Sequence, residues 1–145
     1  MADKEKVVGM FNNIAPTYDF LNHFLSLNID KLWRRKIVKL LRPHAPERIL
    51  DVASGTADLA IALTALKPAG IVGVDISEGM LEVGRVKVAK KKLSHTISLL
   101  YGDSENLPFP SGSFDAVAVS FGVRNFANLD KGLGEMQRVD RKSVV

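Results

Sequence analysis

Four short apolar runs, ILDVA (49–53), IVGVD (71–75), ISLLY (97–101) and DAVAVS (115–120), set the tightest constraint on what this 145-residue chain can fold into. They are rich in β-branched residues and alternate little between apolar and polar positions. A strand solvated on one face alternates; strands buried on both faces do not, and these occur mainly in parallel sheets covered by helices. The intervals supply the helices. Residues 57–66 and 77–92 read as crossovers, the second started by Ser77 as cap, with Met80, Leu81, Gly84 and Val88 along one side. The segment NLDKGLGEMQRV (128–139) adds a last amphipathic helix carrying Leu129, Leu133, Met136 and Val139. The order β-α-β-α-β-β-α predicts an α/β fold built on an open, doubly wound parallel sheet.

Ahead of this pattern, residues 3 to about 42 read as helical. In DKLWRRKIVKLL (30–41), Leu32, Trp33, Ile37, Leu40 and Leu41 recur at spacings of three and four, Asp30 is placed to cap the start, and Pro43 and Pro46 end the helix. An earlier stretch, PTYDFLNHFLSL (16–27), starts with Pro16 at a first-turn position and presents Phe20, Leu21, Phe24, Leu25 and Leu27. Residues 1–46 therefore form a helical appendage to the α/β unit that begins at residue 47.

Composition narrows the chemistry. There is no cysteine, so disulfides, thiolate metal ligands and a cysteine nucleophile are excluded. No run approaches the roughly 18 uninterrupted apolar residues that span a bilayer, and MADKEK at the N-terminus lacks the apolar core of a secretory signal, which points to the cytoplasm. The net charge is +4, with much of the excess in Arg85, Lys87, Lys90, Lys91 and Lys92. Such a run reads first as a solvated helix face, with weak attraction to anionic lipid as the sharper alternative. No aromatic residues interleave with it to stack bases, which argues against nucleic acid.

In doubly wound sheets ligands sit beyond the carboxyl ends of the strands. The loop in ILDVASGTADLA (49–60) occupies that place after the first strand. A dinucleotide fingerprint G-x-G-x-x-G would need glycine at 53, 55 and 58, where the chain has Ala53, Gly55 and Asp58. The acidic-x-G-x-G-x-G pattern of S-adenosylmethionine-binding methyltransferases fits better, keeping Asp51 and Gly55 with Ala53 and Ala57 at the flanking positions. Alanine permits close backbone approach so long as its φ is negative, so the two alanines restrict the turn without forbidding it.

Polar groups at the other strand ends extend the pattern. Asp75 stands twenty positions after Gly55, where a carboxylate accepts both hydroxyls of a ribose. Asp103, after the third strand, is placed to accept from an adenine amino group, with Ser104 beside it as a further polar contact. Ser120 ends the fourth strand. Taken singly, each of these, like Thr56 and Asp58, reads equally well as a cap or turn former. The row at successive strand ends is what points to one ligand.

The segments MFNNIAPTYDFLNHFLSLNIDKLWRR, LDVASGTADLA, GVDISEGML, GDSENLPFPSGSFD and SFGVRN together resemble the UbiE/MenG family of quinone-biosynthesis methyltransferases, from about residue 8 to 139. The family usually has alanine at the position of Ala53 and often glycine at that of Ala57, His at that of Asp30 and Met at that of Leu21. The resemblance implies a class I methyltransferase: a Rossmann-like parallel sheet with an N-terminal helical lid (1–46) over an S-adenosylmethionine-binding domain (47–139). It assigns cofactor contacts to Thr56, Asp75, Asp103, Ser104 and Ser120, lid contacts to Tyr18, Asp19 and Asn22, and the substrate side to Arg124 and Asn125.

It also implies the reaction, S-adenosylmethionine-dependent C-methylation of demethylmenaquinol to menaquinol, with ubiquinone biosynthesis as the related case. A ring carbon attacks the sulfonium methyl only when the neighbouring oxygen is electron-rich, so the site must favour a phenolate. Arg124 is too basic to take the proton but its charge favours the phenolate, while His23 or a bound water remains the candidate base. Family members continue past MQRV with Leu and a Lys-Pro-Gly-Gly turn and build seven strands. The chain is therefore expected to be C-terminally incomplete, with 140–145 outside the family pattern. The strand at 115–120 should then show an open edge prone to pairing between copies. A methyltransferase for another small molecule and a noncatalytic nucleotide-binding fragment remain alternatives. A prenylated substrate implies visits to the membrane surface, with Phe24, Leu25 and the lysine run as contacts.

Overall fold

The structure, a computed structural model, describes residues 4–14, 29–119 and 126–141. Its elements in chain order are α1 (Lys4–Ile14), α2 (Ile29–Leu41), β1 (Arg48–Val52), α3 (Asp58–Leu63), β2 (Gly70–Asp75), α4 (Glu78–Lys90), β3 (Ile97–Tyr101), β4 (Ala116–Val119) and α5 (Leu129–Val139). Single 3₁₀ turns, Arg42–His44 and Thr64–Leu66, follow α2 and α3. All four expected strands are present and pair in parallel, in the order β3-β2-β1-β4. Strand order reverses between β1 and β4, so the ligand-binding crevice of this architecture falls at the carboxyl end of β1.

The absence of alternation in β1 has a direct cause. Successive side chains of a strand point to opposite faces, yet Ile49 and Leu50 are both fully buried. Ile49 joins a core with Leu63, Ile71, Leu81, Val88 and Val38, covered by α2, α3 and α4. Leu50 joins Val52, Val74, Phe114 and Val139 on the other face, under α5. Ser77 caps α4 as expected, its hydroxyl accepting from the Met80 amide at 3.2 Å.

The helical readings need four corrections. Asp30 lies inside the first turn of α2, fully buried, and accepts from Arg34 at 2.8 Å four residues on, so it is an intrahelical ion-pair partner rather than a cap. Leu32, Trp33 and Leu40 face outward, 62, 49 and 63% exposed, while Ile37, Val38 and Leu41 form the inner side. On α5, Leu129 and Leu133 are likewise exposed; the buried side is Gly132, seated against the Phe126 ring, and Val139. The basic run on α4 is also no uniform solvated face. Arg85 donates to Glu78 and to the Leu99 carbonyl, and Lys87 bonds Asp58. The segment PTYDFLNHFLSL lies outside the described residues.

Among the described residues β4 has a strand partner on one side only, β1. The chain after α5 returns to its free side: Phe114 donates to the Val139 carbonyl at 3.0 Å and accepts from the Arg141 amide at 2.7 Å, a parallel bridge with Asp140 just ahead of β4.

Leu99 of β3 shows how tightly the covered face is fitted. A Cβ on Gly73 of β2 would stand 2.7 Å from one of its methyls, and a Cβ on Gly84 of α4 would stand 2.8 Å from the other. Gly84→Ala gains about 1 kcal/mol of helix propensity, but overpacking of this kind costs about 1–3 kcal/mol, and the carbonyl carbon of Thr56 blocks retreat. Gly73→Ala gains about 0.5–1 kcal/mol of backbone entropy in a strand, but its Cβ would also meet the Ser54 side chain, at 2.9 and 3.0 Å. We expect Gly73→Ala to destabilise by about 1–3 kcal/mol and Gly84→Ala by less, measured by urea unfolding. Adding Leu99→Ala to either should be markedly less than additive.

Candidate functional site

The loop between β1 and α3 takes a conformation that its sequence disguises. Ala53, Gly55 and Ala57 all have positive φ, 56, 56 and 74°. These are the three alternate positions of the glycine-rich pattern, and the two alanines adopt the left-handed backbone despite a cost of about 1–2 kcal/mol each for a residue with a Cβ. The condition of negative φ read for alanine from the sequence therefore does not hold at Ala53 and Ala57. Tertiary bonds hold the turn: the Ser54 amide donates to the Val74 carbonyl at 2.9 Å, and the Ala57 amide to the Ser54 carbonyl at 3.0 Å. A Cβ at Gly73 would fall 2.9 Å from that of Ser54, so the loop closes onto β2 because Gly73 is bare.

Asp75 fastens this loop from the end of β2. Its Oδ2 accepts from the Gly55 amide at 2.8 Å and its Oδ1 from the Ser77 amide at 2.9 Å. One carboxylate thus links the loop after β1 to the cap of α4. Burial raises its pKa above the ordinary range, opposed by the backbone N–H groups of Ser77, Gly55 and Ile76.

Asp51, in β1, is buried beneath the loop, and its Oδ2 has no hydrogen-bond partner among the described residues; the same holds for the Ser54 hydroxyl. Burial first, and then the neighbouring Asp75 charge, push the Asp51 carboxyl up to about 8, against a lowering bond from the Ala60 amide. At neutral pH it is a neutral donor beside a more strongly bonded acid.

At the end of β3, Asp103 accepts from the Glu105 amide and from the Lys4 ammonium of α1, each at 2.9 Å; Lys4 also pairs with Glu105 at 3.2 Å. Burial alone would raise the Asp103 pKa, but the Lys4 bond, the Glu105 amide and the charges of Lys4 and Lys131 together outweigh it, and the carboxyl lies below its usual range. The backbone continues the row, with the Gly102 amide donating to the Asp75 carbonyl at 3.1 Å. Ser104 is partly buried beside it. The second anchor of α1 is Asn12, whose side-chain oxygen accepts from the Ser77 hydroxyl and from the Gly79 amide at 2.9 Å. Through Lys4 and Asn12 the first helix straps together the ends of β3 and the start of α4.

The structure thus brings Asp51, Gly55, Asp75 and Asp103 to one edge of the sheet. Thr56 lies in the same loop but is buried, its hydroxyl accepting from Lys87 at 3.3 Å, which places it on the helix side. Ser120, Arg124, Asn125, Tyr18, Asp19, Asn22 and His23 lie outside the described residues. Sequence reading missed Lys4, Asn12 and Glu105. Lys4 and Asp103 are 99 positions apart, and no local signal joins them.

A model of the ubiE/COQ5 methyltransferase family matches residues 1–143. The chain belongs to this family. It is 55% identical over 136 residues to a demethylmenaquinone methyltransferase of Bacteroides fragilis, covering 93% of this chain and 56% of that protein. It is 47% identical to a ubiquinone/menaquinone biosynthesis C-methyltransferase UbiE of Citrifermentans bemidjiense, covering 97 and 62%. The chain therefore spans little more than half the length of these relatives. A solved methyltransferase from Aquifex aeolicus, described as S-adenosylmethionine-dependent, shares the fold at a TM-score of 0.63 and 22% identity over 71% of this chain and 57% of that one. The left-handed φ at position 53 shows what the alanine there must tolerate.

Two measurements probe this loop. Ala53→Gly removes a strained Cβ and should stabilise the chain by about 0.5–1 kcal/mol. Ala57→Gly should gain less, because the Ala57 methyl is fully buried and its loss costs about 0.8 kcal/mol; thermal unfolding of both variants checks the difference. The second concerns pH. Folded Asp51 keeps its proton up to about 8, whereas the unfolded carboxyl loses it near 3.8. Between these values the folded state binds more protons, so stability falls as pH rises across that window and levels above it. Asp51→Asn should flatten this slope in urea titrations from pH 4 to 9.

Proposed function

We propose that this chain is the cofactor-binding part of a cytoplasmic S-adenosylmethionine-dependent C-methyltransferase that converts demethylmenaquinol to menaquinol, with ubiquinone biosynthesis as the related pathway. Membership of the ubiE/COQ5 family and the names of the two relatives support the reaction. The observation in the fold that carries it is the Gly55–Asp75 tie at the switch point of the sheet.

The residues present fit the cofactor. Each oxygen of Asp75 accepts one backbone N–H and keeps capacity for a second donor, as two vicinal ribose hydroxyls would supply. We assign Asp103 and Ser104 to the adenine amino group. The buried Ser54 hydroxyl and the protonated Asp51 carboxyl offer hydrogen-bonding capacity under the loop, suited to the polar methionine end. When bound, S-adenosylmethionine supplies an electrophilic methyl group on sulfur. The protein's part is to fix the adenosine through Asp75, keep the loop rigid through its bond to Gly55, and exclude water with the helix anchored by Lys4 and Asn12. We assign Ser120, and Thr56 through its place in the loop rather than its hydroxyl, to the same cofactor pocket. Tyr18, Asp19 and Asn22 are assigned to the lid within residues 1–46, over the domain 47–139. Arg124 favours the phenolate of the quinol, and Asn125 helps orient it. The prenylated acceptor brings the protein to the inner face of the membrane, and the side of β4 that has no strand partner among the described residues is where two copies would pair, which gel filtration reads directly.

Calorimetric titration with S-adenosylhomocysteine tests the reading. The chain should bind it; Asp75→Ala should weaken binding by about 10–100-fold, the worth of one hydrogen bond to a charged group, and Asp75→Asn by less. Silence with the unsubstituted chain would reduce it to a noncatalytic fragment. Methyl transfer by the full-length gene product to reduced demethylmenaquinone, and not to soluble catechols, decides the acceptor.

A further inference from the structure

The outward half of α2 carries two parallel strips that the site does not use. Lys31, Arg35 and Lys39 recur every four residues, followed by Arg42, and Leu32, Lys36 and Leu40 recur one position round the helix. Trp33 flanks the second strip, with the Lys36 ammonium 5.3 Å from its ring centroid. Leu32, Trp33 and Leu40 are 62, 49 and 63% exposed, an unusual load of large apolar side chains on one short helix. The basic strip forms one wall of a groove of about 770 Å³ between α2, α3 and α4, lined by seven cationic side chains and a single carboxylate, Asp58, which pairs with Lys87 on the opposite wall. Asp58 is the first residue of α3, three positions after Gly55, so the groove adjoins the cofactor loop.

A free polyanion or a nucleic acid would use the cations and leave Leu32 and Leu40 in water. A partner protein groove would bury the leucines and gain little from the cations. One environment takes both at once: the headgroup region of an anionic bilayer, where apolar side chains enter the acyl boundary, Trp sits at the interface and Lys and Arg reach the phosphates. We propose that α2, with the basic groove beside it, docks the protein on anionic membrane surfaces. The inference extends the proposed quinol substrate, whose prenyl tail is dissolved in the bilayer, but its geometry comes from α2 and the groove. It takes the place of the lysine run of α4 as the principal contact: Arg85 and Lys87 are engaged within the protein, while Lys91 lines the groove.

Trp33 is the only tryptophan in the chain, so its fluorescence reports on this face alone. Titration with phosphatidylcholine vesicles containing phosphatidylglycerol should shift its emission to the blue and shield it from acrylamide. Pure phosphatidylcholine and inorganic phosphate should leave it unchanged, and added salt should reverse the shift. Arg35→Gln with Lys39→Gln should weaken vesicle binding more than tenfold, at about fivefold per cation, with S-adenosylhomocysteine affinity unchanged as the control for folding. Leu40→Ser should weaken it with the charge intact. Sedimentation of the chain with anionic vesicles without a Trp33 shift would place the contact elsewhere and overturn the proposal. So would absence of binding, or an equal shift with phosphatidylcholine alone or with RNA. Calorimetry with S-adenosylhomocysteine is independent of lipid: a chain that binds this ligand but not vesicles overturns the docking face and leaves the methyltransferase reading standing, and the reverse result separates them the other way.

Discussion

The bond from the Gly55 amide to the Asp75 carboxylate joins two segments that neither strand could position alone. The loop after β1 contains two alanines in left-handed backbone, a conformation that free chains avoid. It persists because Asp75, the Val74 carbonyl and the bare Cα of Gly73 determine where Ser54 and Gly55 must lie. Strain at a site survives when the surroundings over-determine it. The same carboxylate holds the cap of α4 through Ser77, so loop, strand and helix move as one piece. This rigidity is what a positioning mechanism needs from its cofactor platform.

Around that platform, charge is distributed unevenly. Asp51 is sealed in and held neutral by burial beside Asp75, whereas Asp103 is kept ionised by Lys4. Two acids of one row are thereby driven in opposite directions by their surroundings, the pattern seen where acidic groups have separate tasks. The Lys4 contact is partly solvent-exposed on both sides, so it is screened by salt and contributes little to stability on its own. Its consequence is geometric: with Asn12 at the start of α4, it lays α1 across the strand ends.

The sheet was legible because burial on both faces leaves a direct trace in composition: Ile49 and Leu50 are neighbours with opposite surroundings and the same chemistry. The Gly55–Asp75 relation was legible for a related reason, since one βαβ unit fixes the distance from loop to next strand end. The helix faces were not. Leu32, Trp33 and Leu40 follow helical spacing, but spacing does not say which side meets the core, and Asp30 occupies an inner position because Arg34 neutralises it. Ala53 and Ala57 misled in another way: their left-handed φ is imposed by tertiary bonds that intrinsic preference does not foresee. Lys4 and Asn12 act across the whole length of the domain, where no local pattern reaches.

The central claim is that the loop at 53–57 and the acids at the ends of β2 and β3 form a single adenosyl-binding surface. Amide NMR during titration with S-adenosylhomocysteine tests it most directly. The Gly55 and Ser77 amides, both bonded to Asp75, should shift together with Gly102 and Glu105 on one binding isotherm, while α2 and α5 stay unchanged. Shifts confined to the groove between α2 and α4, or a Gly55 amide indifferent to saturating ligand, would contradict it.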